Sequence, residues 1–201
     1  MDRKAHWETV YETKSPNEVS WTQKIPEISL ELIGQTGVSK TASIIDVGGG
    51  DSLLIDFLLE DGYQTLSLLD ISAKAIERAQ LRLGVKGKLV NWIVSDIVQF
   101  KPQTSFEVWH DRAAFHFLTD PQEIQVYKAL VIQSDVKDLI IGTFAVDGPL
   151  KCSGLDVKQY DAAAMENLWG SHFELVETKN HAHQTPFDTI QKFSFFRLKR
   201  K

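Results

Sequence analysis

From residue 42 onward, short apolar runs alternate with stretches whose apolar positions recur at helical spacing. Residues 42–47 form an apolar run of strand length that ends in Gly48-Gly49-Gly50. Residues 52–60 then set Leu54, Phe57 and Leu58 at helical spacing, with Gly62 as a stop. A second strand is predicted over 66–69, ending at Asp70. A helix capped by Ser72 follows through Ala75, Ile76, Ala79 and Leu83, closed by Gly84. Further strands are expected over 89–94, 106–109 and 139–144, with a helix over 121–133 between the last two. This rhythm predicts a mostly parallel sheet covered by helices on both faces. It then breaks: a helix over 162–169 precedes two runs, 173–179 and 193–198, with no helix between them. These two should pair as an antiparallel hairpin whose link, residues 180–188, carries His181, His183 and Pro186.

The first 41 residues read differently. Trp7 and Tyr11 are spaced i,i+4, so a helix there would put both rings on one face, and Pro16 ends that segment. Pro26 opens a second helix through Ile28, Leu30, Leu32 and Ile33, with Gly34 as its stop. The division expected is a helical cap over 1–41 and a core over 42–201.

Composition narrows the class without naming a function. The chain of 201 residues is 43% apolar and 24% charged, an ordinary globular balance with one domain's worth of core. Cys152 is the sole cysteine, so no internal disulfide is expected and a reducing cytoplasm is the default location. No apolar run reaches the roughly 18 residues needed to span a bilayer. With 22 Lys plus Arg against 27 Asp plus Glu, the net charge of −5 disfavours nucleic acid as a partner.

The chemistry concentrates between strands and helices. Asp46-Val47-Gly48-Gly49-Gly50 lies at the carboxyl end of the first strand, where open α/β sheets bind cofactors. Asp70, twenty residues after Gly50, ends the second strand, where an acid meets ribose hydroxyls in nucleotide folds. Read as G-x-G-x-x-G from Gly48, the pattern puts Leu53 at the third glycine, which argues against a dinucleotide. No P-loop sequence occurs. An acid opening the turn suits a cationic ligand better than a pyrophosphate. S-adenosylmethionine is such a ligand, with a sulfonium, an ammonium and no phosphate.

With these residues the sequence resembles the class I S-adenosylmethionine-dependent methyltransferases. Asp46-x-Gly48-x-Gly50 is similar to their first motif, with Ser52 where many members carry a third glycine. Asp70 with Ile71 resembles their ribose-binding position, and Ser95-Asp96-Ile97 the motif that holds adenine. Phe106-Glu107-Val108-Trp109-His110-Asp111 resembles the strand whose end faces the transferred methyl. The resemblance spans 42–198. It implies a three-layer α/β/α sandwich, its seven-stranded sheet ending in the antiparallel hairpin, with S-adenosylmethionine held by Asp46, Gly48, Gly50, Asp70, Ile71, Asp96 and Ile97. The lead-in His6-Trp7-Glu8…Tyr11 with Val19-Ser20-Trp21 is similar to that of protein-lysine methyltransferases, which adds Trp21 as a cofactor contact.

For catalysis, His110, Asp111 and Arg112 are the candidates. His110 could take a proton near neutral pH, Asp111 orient an amine, and Arg112 grip a carboxylate or phosphate. Against that stands an Asp111–Arg112 ion pair that only fixes the loop. His116 is weighed against a packed position between Phe115 and Phe117. His181 and His183 lack a third ligand, so no metal is expected; Cys152 reads as a small buried residue. The acceptor is a small molecule or a protein side chain. The rival readings are a non-catalytic S-adenosylmethionine-binding partner or sensor, and a nicotinamide-dependent oxidoreductase.

Overall fold

The computed structural model describes residues 2–201. Its helices are α1 (Arg3–Thr13), α2 (Glu27–Gln35), α3 (Leu54–Glu60), α4 (Ala73–Leu83), α5 (Pro121–Gln133) and α6 (Ala162–Trp169). Its strands are β1 (Ser43–Val47), β2 (Thr65–Asp70), β3 (Val90–Val94), β4 (Val108–Arg112), β5 (Asp138–Phe144), β6 (Lys151–Cys152), β7 (Leu155–Asp156), β8 (Phe173–Gln184) and β9 (Ile190–Arg200). Seven strands form one sheet in the order β3-β2-β1-β4-β5-β9-β8, while β6 and β7 make a separate small hairpin. The first five strands run parallel; β9 runs antiparallel between β5 and β8.

Local signals explain why most boundaries fall where expected. Asp120 accepts from Gln122 N and Pro121 stands in the first turn, so α5 starts there; Asp161 accepts from Ala164 N at the start of α6. Ser72 caps α4 through Ala75 N, and the chain leaves that helix at Gly84.

Four expectations need correcting. Gly34 does not stop α2: it stands inside a helix that runs to Gln35. The fourth strand begins two residues late and reaches Arg112, so it carries His110 and Asp111 within the sheet instead of after it. The terminal strands are longer than their apolar stretches, because β8 continues in an alternation of exposed and half-buried positions through charged residues. Hence His181 and His183 sit in β8, paired with Phe193 and Gln191, not in a link.

The sheet separates two apolar layers. Trp109, Phe115, Tyr127, Trp169 and Phe196 fill one side; Ile44, Leu32, Leu54, Phe193 and Phe195 fill the other. Alternation along each strand decides the side, so residues one apart face opposite layers. Arginines on α4 tie the sheet's crown together. Arg82 donates to the carbonyls of Asp51 and Ser52 and pairs with Asp56, while Arg78 donates to the Lys14 carbonyl at the end of α1.

Candidate active site

A cavity of about 300 Å³ opens at the carboxyl ends of the parallel strands, under the amino-terminal segment. It collects Asp46, Gly48, Asp70, Ile71, Asp96, Ile97, Trp21, His110 and Arg112 of the residues singled out above. Gly50 lies in the same turn but behind the lining, and Asp111 is not part of the wall.

The turn after β1 is shaped by contact. Gly48 (φ +66°) and Gly50 (φ +54°) take left-handed backbone that side chains rarely adopt. A Cβ at Gly48 would also strike Ala114, and one at Gly50 would strike the Tyr11 hydroxyl. Acids ring the turn. The buried carboxylate of Asp46 spends Oδ1 on His110 and leaves Oδ2 with no hydrogen-bond partner. Asp70 accepts from Ser72 N, and burial pushes its carboxyl up to about 7. Asp96 accepts from Val98 N at the cavity edge. An unmet carboxylate oxygen in a ring of acids, where the backbone leaves room for a ligand, fits the cationic donor and disfavours a pyrophosphate.

The sheet register brings distant residues together. Asp46 and His110 are direct partners across β1 and β4, on the same face. His110 Nδ1–H donates to Asp46 Oδ1 at 2.7 Å, and Nε2 lies 2.9 Å from Ser29 Oγ on α2. Ser29, buried inside an amphipathic helix, carried no sequence signal. Both ring nitrogens are therefore occupied, which leaves His110 a bridge between α2 and the acid and not a free base.

Asp111 faces the opposite layer, as alternation requires. Its carboxylate accepts from Ala114 N at 3.0 Å, Phe115 N at 2.9 Å and the Tyr127 hydroxyl at 2.8 Å, and burial raises its pKa to about 6. No Asp111–Arg112 ion pair forms. The carboxylate instead braces the turn in which Ala113 (φ +67°) is strained and Ala114 meets Gly48. Arg112, back on the cavity face, donates Nη1–H to the Trp21 carbonyl at 2.9 Å.

The front segment roofs the cavity. Trp7 packs on Trp21 at 5.7 Å and on Phe117 at 5.1 Å, and Tyr11 lies 6.3 Å from Trp21. Burial, with Asp70 and Asp51 nearby, pushes the Tyr11 phenol well above its ordinary pKa. Glu8 fastens α1 in place: its carboxylate accepts from Ser72 Oγ, Ala73 N and Lys74 N at 2.8–3.1 Å. Burial works against that carboxylate, but these hydrogen bonds outweigh it and lower its pKa.

The remaining candidates are placed by packing. His116 lies 4.7 Å from both Phe117 and Phe144, accepts from Phe144 N, and is held neutral, its pKa about 3, by burial. His183 donates to the Ser20 carbonyl. Burial lowers the pKa of His181 and His183, and raises the Cys152 thiol to about 11.

Residues 44–131 match the family model of a methyltransferase domain. The match covers 88 of the 201 residues. The matched stretch runs from β1 into α5 and contains every acid of the cavity, while the hairpin completes the sheet. No curated protein matches the chain. Among solved structures, magnesium protoporphyrin IX methyltransferase from Synechocystis PCC 6803 with bound S-adenosylmethionine is similar over 100% of this chain and 98% of that one. Its TM-score is 0.72 at 15% identity. The N-methyltransferase NodS from Bradyrhizobium japonicum, in complex with S-adenosylhomocysteine, covers 99% of both chains (TM-score 0.72, 15% identity). The 1,6-didemethyltoxoflavin-N1-methyltransferase of Burkholderia thailandensis covers 98% of this chain and 87% of its own (TM-score 0.71, 15% identity). At these identities the likeness is one of fold. No helix among the described residues is long and apolar enough to cross a membrane.

Proposed function

We propose that the protein transfers a methyl group from S-adenosylmethionine to a small-molecule acceptor enclosed beneath the amino-terminal segment. The observation that carries this reading is the unmet Oδ2 of Asp46 beside the glycine turn, in line with Asp70 and Asp96. S-adenosylmethionine supplies a methyl already activated by its sulfonium, so the protein's work is positioning and exclusion of water. In this reading Asp46 receives the donor's ammonium, Asp70 accepts from ribose hydroxyls, and Asp96 accepts from the adenine amine. Ile71, Ile97 and Trp21 supply apolar walls. His110 holds Asp46 in its rotamer through Ser29, and Asp111 keeps Ala114 against Gly48. Residues 1–41 act as the cap that closes over both ligands.

The cavity of about 300 Å³ must take the donor as well, which leaves little room and supports a compact acceptor. A second reading is a protein lysine, because Trp7, Trp21 and Phe117 form an aromatic group of the kind that receives an ammonium. Thermal-shift titration with S-adenosylhomocysteine and with NAD tests the donor. Stabilisation by the first alone is expected, and stabilisation by NAD alone overturns the reading. Label transfer from methyl-labelled S-adenosylmethionine in a lysate then sorts acceptors: label in the small-molecule filtrate is expected, and protease-sensitive label establishes the lysine reading instead.

A further inference from the structure

The cavity wall holds a buried cation that has no ion pair. Arg112 stands at the end of β4 with Nη1 anchored on the Trp21 carbonyl and its guanidinium carbon 4.9 Å from the centre of the Phe193 ring. Nε and Nη2 are shielded from solvent and have no hydrogen-bond partner. Among the described residues, no carboxylate comes within 4.0 Å of this guanidinium. Asp46 across the cavity is the one carboxylate that acts on it, and only through space, beyond ion-pair distance; burial keeps the Cys152 thiol protonated, and burial with Arg112 itself lowers the pKa of His183 and His181. Burial pulls Arg112 down only to about 10, so it stays charged at neutral pH. A desolvated cation without a partner is costly, and such groups persist where a ligand supplies the anion.

We propose that Arg112 anchors a carboxylate of the methyl acceptor, making the substrate a small carboxylic acid. This rests on the methyltransferase reading above and names the substrate class for the same site. The unmet pair is Nε–H with Nη2–H, the side-on edge of the guanidinium, whose two parallel donors match the two oxygens of a carboxylate. Trp21 and Phe193 fix the plane, so little side-chain freedom is lost on binding. One cation balances one carboxylate; a phosphate, carrying nearly two charges, would want a second. The position selects the acceptor over the donor. Asp96, Asp70 and Asp46 lie at or just past the ends of β3, β2 and β1, whereas Arg112 lies beyond them on β4, its guanidinium reaching over β5 to Phe193 of β9.

The test uses the full chain, with and without saturating S-adenosylhomocysteine, titrated with acetate, benzoate, succinate, citrate, inorganic phosphate and neutral benzamide. Melting temperature and tryptophan fluorescence, which Trp21 reports, are the readouts. At least one carboxylate should raise the melting temperature by about 2 °C or more where benzamide and phosphate do not. Arg112→Gln should weaken that carboxylate roughly tenfold or more while leaving S-adenosylhomocysteine affinity within about twofold. Arg112→Lys, which keeps charge and bulk but loses the fork, should fold normally and still lose about fivefold. The proposal is overturned if no carboxylate outperforms benzamide, or if both variants bind carboxylate like the parent. It is equally overturned if Arg112→Gln weakens S-adenosylhomocysteine but not 5′-methylthioadenosine, since the anion is then the donor's own. Failure of the unmodified protein to bind S-adenosylhomocysteine sinks the methyltransferase reading instead, and the donor-free titration still reads Arg112.

Discussion

The two ends of the cavity are built by opposite means. The end under β1, β2 and β3 consists of a backbone turn and three acids, each at or just past a strand's carboxyl end. The end beside β4 consists of side chains drawn from distant segments, Trp21, Ser29, Arg112 and Cys152, with Phe193 of β9 behind Arg112. One end is acidic and set by the fold's topology. The other holds a buried arginine without an ion pair and is set by packing. On the function proposed above, such a fold keeps its donor seat and changes acceptors by altering residues that no local motif constrains.

Substitutions can break or sharpen that division. The largest effect is expected outside both ends: Asp111→Ala strands two backbone amides and the Tyr127 hydroxyl, and should cost about 3 kcal/mol in a chemical-denaturation midpoint analysis. A fully stable Asp111→Ala with lost turnover would restore it as a catalytic group. Asp46→Ala should come next, weakening S-adenosylhomocysteine by about 2–3 kcal/mol in calorimetry, because a charged acceptor is lost at the seat. Asp70→Ala should cost about 1–3 kcal/mol in the same measurement, and unchanged affinity would refute its ribose role.

Asp70 also gives the donor end a pH signature. Its free carboxyl is held near 7 by burial, and ribose hydroxyls donate far more strongly to the ionised form. Binding therefore expels a proton below that pH: S-adenosylhomocysteine affinity should rise about tenfold per unit from pH 5.5 towards 7 and level off above it. The same elevation means the unliganded fold loses stability through this group as pH rises from about 4 to about 7. Asp70→Asn should flatten both curves. The smallest effect is expected for Ser29→Ala, about 1 kcal/mol of stability, since it removes one hydrogen bond to His110 Nε2.

The same division sorts what the chain's letters revealed. Helices α5 and α6 fall on their expected residues because Asp120-Pro121 and Asp161 mark their starts locally. Asp46, Gly48, Asp70 and Asp96 were legible because strand-end position and residue type suffice to place them. His110 and Asp111 were seen as neighbours in one cluster, yet alternation sends them to opposite layers once β4 is known to reach Arg112. The Asp46–His110–Ser29 chain was not legible: it depends on the β1–β4 register and on how α2 docks, both products of tertiary packing. The unanswered edge of Arg112 is invisible for the same reason, because solitude is a property of surroundings.

Glu8 has a kinetic consequence. It secures the first turn of α4 two residues beyond Asp70, so the roof can lift only by releasing Ser72 Oγ and the amides of Ala73 and Lys74. Losing a cap of this kind costs about 0.5–2 kcal/mol, and lifting α1 also breaks the Arg78–Lys14 bond and the packing of Trp7 on Trp21 and Phe117. Hydrogen exchange at the Ala73 and Lys74 amides should therefore report how often α1 leaves α4.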